Sequence, residues 1–413
     1  MITKLSIRNF KSIKELDIDC ARVNLFIGEP NTGKSNILEA LGLLSWCGCN
    51  GVSLNDFVRF QYTNNLFYDN FISQFVEVNI ATESDLINIY LGAIPKSSNF
   101  PIYHSRFSKQ EMNKPFTTME LNHKKDLNNE KFTEALNLEF SKKGVSFSPN
   151  QTFVLVKKPN QEWLVFNYDR IFSVQERDDL LDVYEYASKF RVLGQFGKTD
   201  DYKGTYSSLE FIKFYHYKQL EGDKFPDKSL STLVHPYGTN MLTLISTTKK
   251  HRETISSFFK DFGFKPSIRE FENSIEFEKE TDDVNISYPY VLASDTFRRM
   301  IFYNIAIDSN KDSTLVFEEP EAHTFPYYTK QLGDKIGFDE SNQYFIATHN
   351  PYLLLSILEK TPKDEVNVFI TDFIDYQTKV KCLNEDEKSE LMDYDPFANL
   401  DHFLRSIKLE DGK

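Results

Sequence analysis

Residues Gly28-Glu29-Pro30-Asn31-Thr32-Gly33-Lys34-Ser35 fit the pattern Gly-x-x-x-x-Gly-Lys-Ser/Thr, in which each fixed position has a chemical reason. Glycines let the backbone close around a phosphate, and successive N–H groups at the start of the following helix supply positive potential. On this reading Gly28, Asn31, Thr32 and Gly33 form the cradle, Lys34 reaches the β and γ phosphates, and Ser35 ligates Mg²⁺. ATP and Mg²⁺ are the expected cofactors.

An ATPase of this kind also needs a carboxylate for the metal and a group that orients or deprotonates the attacking water, normally at the end of a neighbouring buried strand. Leu315-Val316-Phe317-Glu318-Glu319-Pro320 offers both. Glu318 would take the metal, directly or through water, and Glu319 the water. Paired acids after a strand are by themselves as readily a solvated turn; the upstream loop favours the catalytic reading. His349, in Thr348-His349-Asn350-Pro351, follows another apolar run and falls at the C-terminal edge where parallel sheets bind ligands. There it would sense the γ-phosphate.

These residues need elements to hold them. Val23-Asn24-Leu25-Phe26-Ile27 is a compact strand candidate ending at Gly28, and Ile37, Leu38, Ala40, Leu41 and Leu44 recur at helical spacing. Strand, loop and helix follow in the required order. Leu5 to Phe10 and Leu16 to Asp19 alternate apolar and polar as paired strands do. Thr314 to Phe317 and Tyr344 to Ala347 are two further strands with helix-length sequence between them, which implies a parallel sheet. From about residue 50 to 285 the pattern is heterogeneous, with a strand at Phe75 to Ile80 and a polar stretch from Ser105 to Gln151 that shows no period. A helical pattern follows Tyr237-Gly238-Thr239-Asn240, with Met241, Leu242, Leu244, Ile245, Ile255, Phe258 and Phe259 on one side, and strands resume near Ile268.

The fold class expected is α/β, a mixed but largely parallel sheet flanked by helices, with N-terminal antiparallel strands and a large α+β insertion. Its expected divisions are a first core segment at 1–60, an inserted lobe at 61–285, a second core segment at 286–383 and an acidic tail at 384–413. Leu400, Phe403, Leu404 and Ile407 would make one face of a docking helix in that tail.

Composition bounds the rest. The chain has 413 residues, 40% apolar and 26% charged, with 37 Phe and 21 Tyr, enough for more than one globular core. No run approaches the roughly 20 apolar residues that span a bilayer, and Met1-Ile2-Thr3-Lys4 leads straight into strand pattern. A cytoplasmic protein with no membrane partner is expected. Four Cys are too few for a disulfide scaffold, and Cys47 and Cys49 are read as reduced and structural. The net charge of −13 disfavours a surface that tracks phosphates. Lys249-Lys250-His251-Arg252 and Lys142-Lys143 leave nucleic acid open as a partner, although such short runs are usually solvated faces.

Together these motifs resemble the ABC-type ATPase heads of the structural-maintenance-of-chromosomes, RecF and overcoming-lysogenization-defect families. Ile7-Arg8-Asn9-Phe10-Lys11-Ser12-Ile13 is similar to their first strand and turn, Gly33-Lys34-Ser35-Asn36 to their loop with its trailing Asn, and Glu318-Glu319-Pro320-Glu321-Ala322-His323 to their Asp-Glu-Pro-Glu-x-His stretch. Thr348-His349-Asn350-Pro351 resembles their switch histidine motif. Ala293-Ser294-Asp295-Thr296-Phe297-Arg298-Arg299 occupies the place of their signature segment without its full Leu-Ser-Gly-Gly pattern. The resemblance implies that Ser294 reaches the γ-phosphate held by the opposing subunit; a simple helix N-cap is the plainer reading. Gln61 would serve as the family's Q-loop glutamine or be a surface residue. Where the family has Asp this chain has Glu318, one methylene or about 1.5 Å longer, so slow hydrolysis is expected.

More narrowly, Leu66-Phe67-Tyr68-Asp69-Asn70, His235-Pro236-Tyr237-Gly238-Thr239-Asn240 and Glu319 to Pro326 resemble the ATPase subunit of two-gene PARIS-type phage-defence systems. That resemblance implies a homo-oligomer, at least a dimer sandwiching ATP, that holds a separate Toprim-like nuclease effector until a phage-encoded trigger releases it. Asp372 and Asp375 are too isolated to form a two-metal nuclease in this chain. The alternatives are a RecF-like DNA repair or chromosome-maintenance ATPase, and a nucleotide-gated scaffold with negligible turnover.

Overall fold

The computed structural model describes residues 1–49, 52–92, 100–108, 119–120, 153–157, 163–167, 191–193 and 207–393. In chain order the strands and helices are β1 (Ile2–Phe10), β2 (Ile13–Asp19), β3 (Val23–Ile27), α1 (Lys34–Cys47), β4 (Val76–Thr82), β5 (Asp85–Leu91), β6 (Phe100–Ser108), β7 (Met119–Glu120), β8 (Phe153–Lys157), β9 (Trp163–Asn167), β10 (Arg191–Leu193) and β11 (Ile212–Tyr215). Next come α2 (Met241–Thr247), α3 (Lys249–Lys260), β12 (Phe264–Arg269), β13 (Ser274–Glu280), β14 (Asn285–Pro289), α4 (Asp295–Ser309), β15 (Thr314–Glu318), α5 (Pro326–Phe338), β16 (Gln343–Ala347), α6 (Pro351–Lys360), β17 (Val366–Ile374), β18 (Gln377–Cys382) and α7 (Glu385–Asp393).

Two six-stranded sheets organise the chain, and two three-stranded sheets, β12-β13-β14 and β7-β8-β9, accompany them. One is antiparallel, in the order β10-β6-β5-β4-β1-β2. Its strands alternate as half-buried strands should: in β1 Leu5 and Ile7 are buried, and a register shift between Ile2 and Lys4 brings Ile2 inward as well. The other has the order β11-β15-β16-β3-β17-β18, parallel throughout except for the edge strand β18. Its central strands are covered on both faces, which is why they read as mostly apolar runs.

The core lies in two layers about this parallel sheet. Helix α1 packs between the sheets, so Phe26, Val316, Phe345 and Phe369 from one face join Ile37, Leu41 and Leu44 and the inner side of the antiparallel sheet. Phe26 stacks on Phe369 and Phe345 with centroids 5.0 and 6.4 Å away. Leu25, Leu315, Phe317 and Ile346 point the other way, into a core shared with α2 to α6. Burying each such side chain stabilises the fold by about 1.5–3 kcal/mol, and the continuous packing fixes the ends of β3, β15 and β16 relative to one another.

The antiparallel start, the parallel sheet and the flanking helices agree with the fold class read from the sequence. Within the stretch expected as an inserted lobe, β4, β5 and β6 extend the N-terminal sheet, and β11 is the edge of the parallel one. Their partners β1 and β15 are distant in sequence, so no local pattern signals the pairing. The helical pattern after Asn240 breaks at Thr248, whose φ of −111° and ψ of 121° are extended, giving α2 and α3. Lys142, Lys143 and the tail residues Leu400, Phe403, Leu404 and Ile407 lie outside the described residues. Among the described residues no helix is long and apolar enough to cross a membrane.

Candidate functional site

The loop after β3 has the backbone its glycines require. Gly28, Asn31 and Gly33 have φ of 156°, 64° and 98°. A Cβ on Gly28 would lie 2.4 Å from the Thr371 carbonyl oxygen, and one on Gly33 would lie 1.9 Å from Thr378 Oγ1. The β17–β18 hairpin therefore presses on the loop where only glycine fits. Thr32 Oγ1 donates to the Glu29 carbonyl at 2.8 Å and sits 2.7 Å from Thr371 Oγ1. Gly33 is the N-cap of α1 and no side chain caps this helix, which leaves its first N–H groups without a side-chain acceptor.

Lys34 is buried, and its ammonium donates to the Gly28 and Glu29 carbonyls, both at 2.8 Å. Burial lowers its pKa while Glu319 and Glu318 pull it back up. The cation is thus parked on the loop beside both acidic residues. Ser35 follows in the first turn of α1. Asn36 Nδ2 donates to Ser12 Oγ at 2.6 Å, and Ser12 Oγ lies 2.6 Å from Thr378 Oγ1, so Asn36 tethers the β1–β2 turn to the helix.

Register brings the acids and the histidine together. Glu318 pairs with Ala347 across β15 and β16, so Glu318-Glu319 and Thr348-His349 leave adjacent strands at one edge. Glu319 has φ of 42° and its N–H donates to the Ala347 carbonyl at 2.9 Å. Its carboxylate is 3.3 Å from His349 Nδ1, and both side chains are open to solvent. Asn350 then caps α6 by accepting from the Tyr352 and Leu353 N–H groups, which fixes the turn that presents His349.

Several residues at the site were not singled out from sequence. Arg59 Nη2 donates to Glu318 Oε1 at 3.0 Å, and its Nε donates to Glu39 Oε1 at 2.5 Å. Glu39, buried on α1, also pairs with Lys11. Arg59 thus takes the place at Glu318, while Gln61 two residues on is exposed. Glu321 is buried, accepts from Thr348 Oγ1 at 2.5 Å, and leaves its second oxygen without a hydrogen bond. Burial pushes this carboxyl up to about 7. Thr371, Thr378 and Arg59 meet the site from distant sequence, whereas Glu321 and Lys11 lay within motifs already in view.

Ser294 is exposed and caps α4, its Oγ accepting from the Phe297 N–H at 3.3 Å. The same helix start is tied to the turn after Glu321, where Thr296 Oγ1 donates to the His323 carbonyl at 3.1 Å. Lys250 pairs with Asp308 at 2.7 Å, Arg252 donates to the Ser246 carbonyl and His251 is buried, so the basic run at 249–252 is engaged within the chain. Cys49 Sγ lies 3.1 Å from His235 Nε2.

ATP and Mg²⁺ fit these residues. Mg²⁺ takes few protein ligands and keeps waters and phosphate oxygens, and Ser35 with Glu318 is a donor set of that kind. The Arg59 guanidinium rests on Glu318, the carboxylate whose charge a metal would neutralise.

The chain matches the model of the AAA ATPase domain family over residues 1–301. That span includes the phosphate loop and Ser294, while Glu318, Glu319 and His349 lie beyond it. No curated protein matches the chain. Among solved structures it is similar to an SMC head bound to the C-terminal winged-helix domain of ScpA, with 13% identity, TM-score 0.43, and 94% of this chain and 99% of that one covered. It is similar to the SMC head domain from Thermotoga maritima, with 11% identity, TM-score 0.34 and coverage of 93% and 99%. A third is the Smc head domain with an extended coiled coil, bound to the C-terminal domain of ScpA and derived from Pyrococcus furiosus, with 14% identity, TM-score 0.45 and coverage of 95% and 98%. A phosphate-binding loop with its lysine in place, and a family match over well over half of the residues, lead to one conclusion: the chain belongs to the AAA ATPase domain family.

Proposed function

We propose that the protein is a regulatory ATPase that binds and slowly hydrolyses ATP as an oligomer, at least a dimer sandwiching nucleotide, and that it acts in the cytoplasm. The observation that carries this reading is the convergence of Lys34, Glu318 and the Glu319–His349 pair on one edge of the parallel sheet. Lys34 exchanges its two loop carbonyls for phosphate oxygens, and the first N–H groups of α1 add further donors. Ser35 and Glu318 hold Mg²⁺, which supplies charge neutralisation when bound. Glu319 orients or deprotonates water, and His349 at 3.3 Å keeps that carboxylate in place. Ser294 of one chain completes the site of another.

The resemblance to phage-defence ATPases supports the wider role: a phage-encoded trigger acts on this chain, and a separate Toprim-like nuclease effector is released. The RecF-like alternative calls for a basic DNA surface, and the net charge of −13 weighs against it. The test is Glu319→Gln, which should retain ATP while turnover falls about 10²-fold or more, the usual contribution of general base catalysis. Phage protection should need a second gene. Robust cleavage of DNA or RNA by the pure chain with Mg²⁺, abolished by substitutions within it, overturns the regulatory reading.

A further inference from the structure

The charges behind the acidic pair form a row, Lys11, Glu39, Arg59 and Glu318, in which sign alternates at each step. Its two ends differ in how firmly they are held. The Glu39 side chain is 2% exposed and lies on α1, and it carries two cations, Lys11 and Arg59. Lys11 Nζ also donates to the Arg59 carbonyl at 2.6 Å, so backbone and side chain of Arg59 are anchored to the same buried carboxylate. At the other end, Arg59 makes one contact of 3.0 Å with Glu318, and the arginine side chain is 66% exposed. The guanidinium therefore has a fixed pivot, one exchangeable partner, and water to turn into. Partial burial disfavours its charge, yet Glu318 and Glu39 hold it on, and arginine does not deprotonate in proteins.

We infer that Arg59 is a built-in competitor for the metal position on Glu318: its guanidinium neutralises this carboxylate in the metal-free protein and is displaced when a divalent cation arrives. The inference rests on the reading of Glu318 as the metal carboxylate. A guanidinium and a divalent cation repel each other at one carboxylate, so occupancy by one disfavours the other. When displaced, Arg59 stays paired with Glu39. Arg59 is in this sense a positioning residue that sets metal affinity. The arginine half of this pair is open to water, which screens it, so its removal should tighten metal binding about three- to tenfold.

The experiment is a Mn²⁺ titration followed by electron paramagnetic resonance, on the full chain saturated with a non-hydrolysable ATP analogue. Arg59→Ala should bind Mn²⁺ about three- to tenfold more tightly than the parent, and Arg59→Lys should fall between them, because it keeps a cation without the forked geometry. Glu39 retains Lys11 in both variants, so folding should survive, and Arg59→Gln provides a further neutral variant. Glu318→Gln should weaken Mn²⁺ in every background. Unchanged or weaker Mn²⁺ binding by both Arg59→Ala and Arg59→Gln, with Glu318→Gln still weakening it, overturns the competitor role alone. If Glu318→Gln leaves Mn²⁺ affinity unchanged, or the parent binds no nucleotide, the underlying assignment of the metal carboxylate falls with it.

Discussion

The two sides of the proposed site are built differently. On one side Lys34 follows the end of β3, and Glu318, Glu319 and His349 lie at the ends of β15 and β16, so the register of these three neighbouring strands brings them to one edge. On the other side Ser294 is held by its own helix: its acceptor contact is with Phe297, three residues on. A site made by register needs the whole core to be correct before it exists. A helix cap forms wherever a serine precedes a helix, whether or not nucleotide is ever bound. The first side thus carries functional information in its geometry, and the second carries none until another surface meets it.

The sharpest way to break this contrast is to empty the register-built side. Lys34→Ala removes the buried side-chain cation that the proposed function sets against the phosphates. A charge-assisted contact of this kind contributes about 3 kcal/mol, so ATP affinity should fall by at least about 100-fold in isothermal titration. The carbonyls of Gly28 and Glu29 lose only hydrogen bonds that water replaces, so the fold should persist. Equal affinity for both proteins would remove the reason for calling this side of the site functional.

A second test concerns the carboxyl behind His349. Glu321 has its pKa raised by burial from the ordinary 4.5 to about 7, with Thr348 donating to it, His349 opposing the shift and Glu319 adding to it. Between these values the folded protein holds a proton that the unfolded chain has released. Stability should therefore fall as pH rises from about 4.5 to about 7 and level off above, by on the order of 3 kcal/mol. Glu321→Gln keeps the size and the acceptor for Thr348 but cannot ionise. Denaturant melts at pH 5 and pH 8 should show this fall in the parent and a smaller one in the variant; identical slopes would mean that Glu321 is not the titrating group.

How much of this could be seen in the sequence follows the same divide between local and distant contacts. Strands β1, β2, β3, β15 and β16 and helix α1 were legible because period and loop chemistry are written within a dozen residues. The pairing of β4 with β1 and of β11 with β15 was not, since the partners lie far apart and any apolar strand could have filled those positions. At the site, Gly28 to Ser35, the acidic pair and His349 carry motifs. Arg59 meets Glu318 across 259 positions, and Thr371 meets Thr32 across 339; an arginine in one loop and a threonine in one strand carry no local mark of that meeting. Ser294 stood out by its place between other motifs, and the contact it makes is the one that plain capping predicts.

That leaves Ser294 as the smallest expected effect and the one that sharpens the comparison most. If the serine is only a cap, Ser294→Ala should lower stability by about 1 kcal/mol and leave turnover per folded chain unchanged. Replacement by Asp, which caps as well as Ser, should then be silent in both respects. If Ser294 also reaches nucleotide on a neighbouring chain, Ser294→Asp keeps the cap and the stability but sets a negative charge against the γ-phosphate, and turnover should drop while melting does not. Ser294→Arg should act in the same direction through bulk. The two readings thus separate on one variant measured in two ways, with light scattering in ATP reporting whether chains associate at all. Normal turnover by Ser294→Asp in an ATP-dependent dimer would confine this residue to its helix and move the search for the second side of the site elsewhere on the surface.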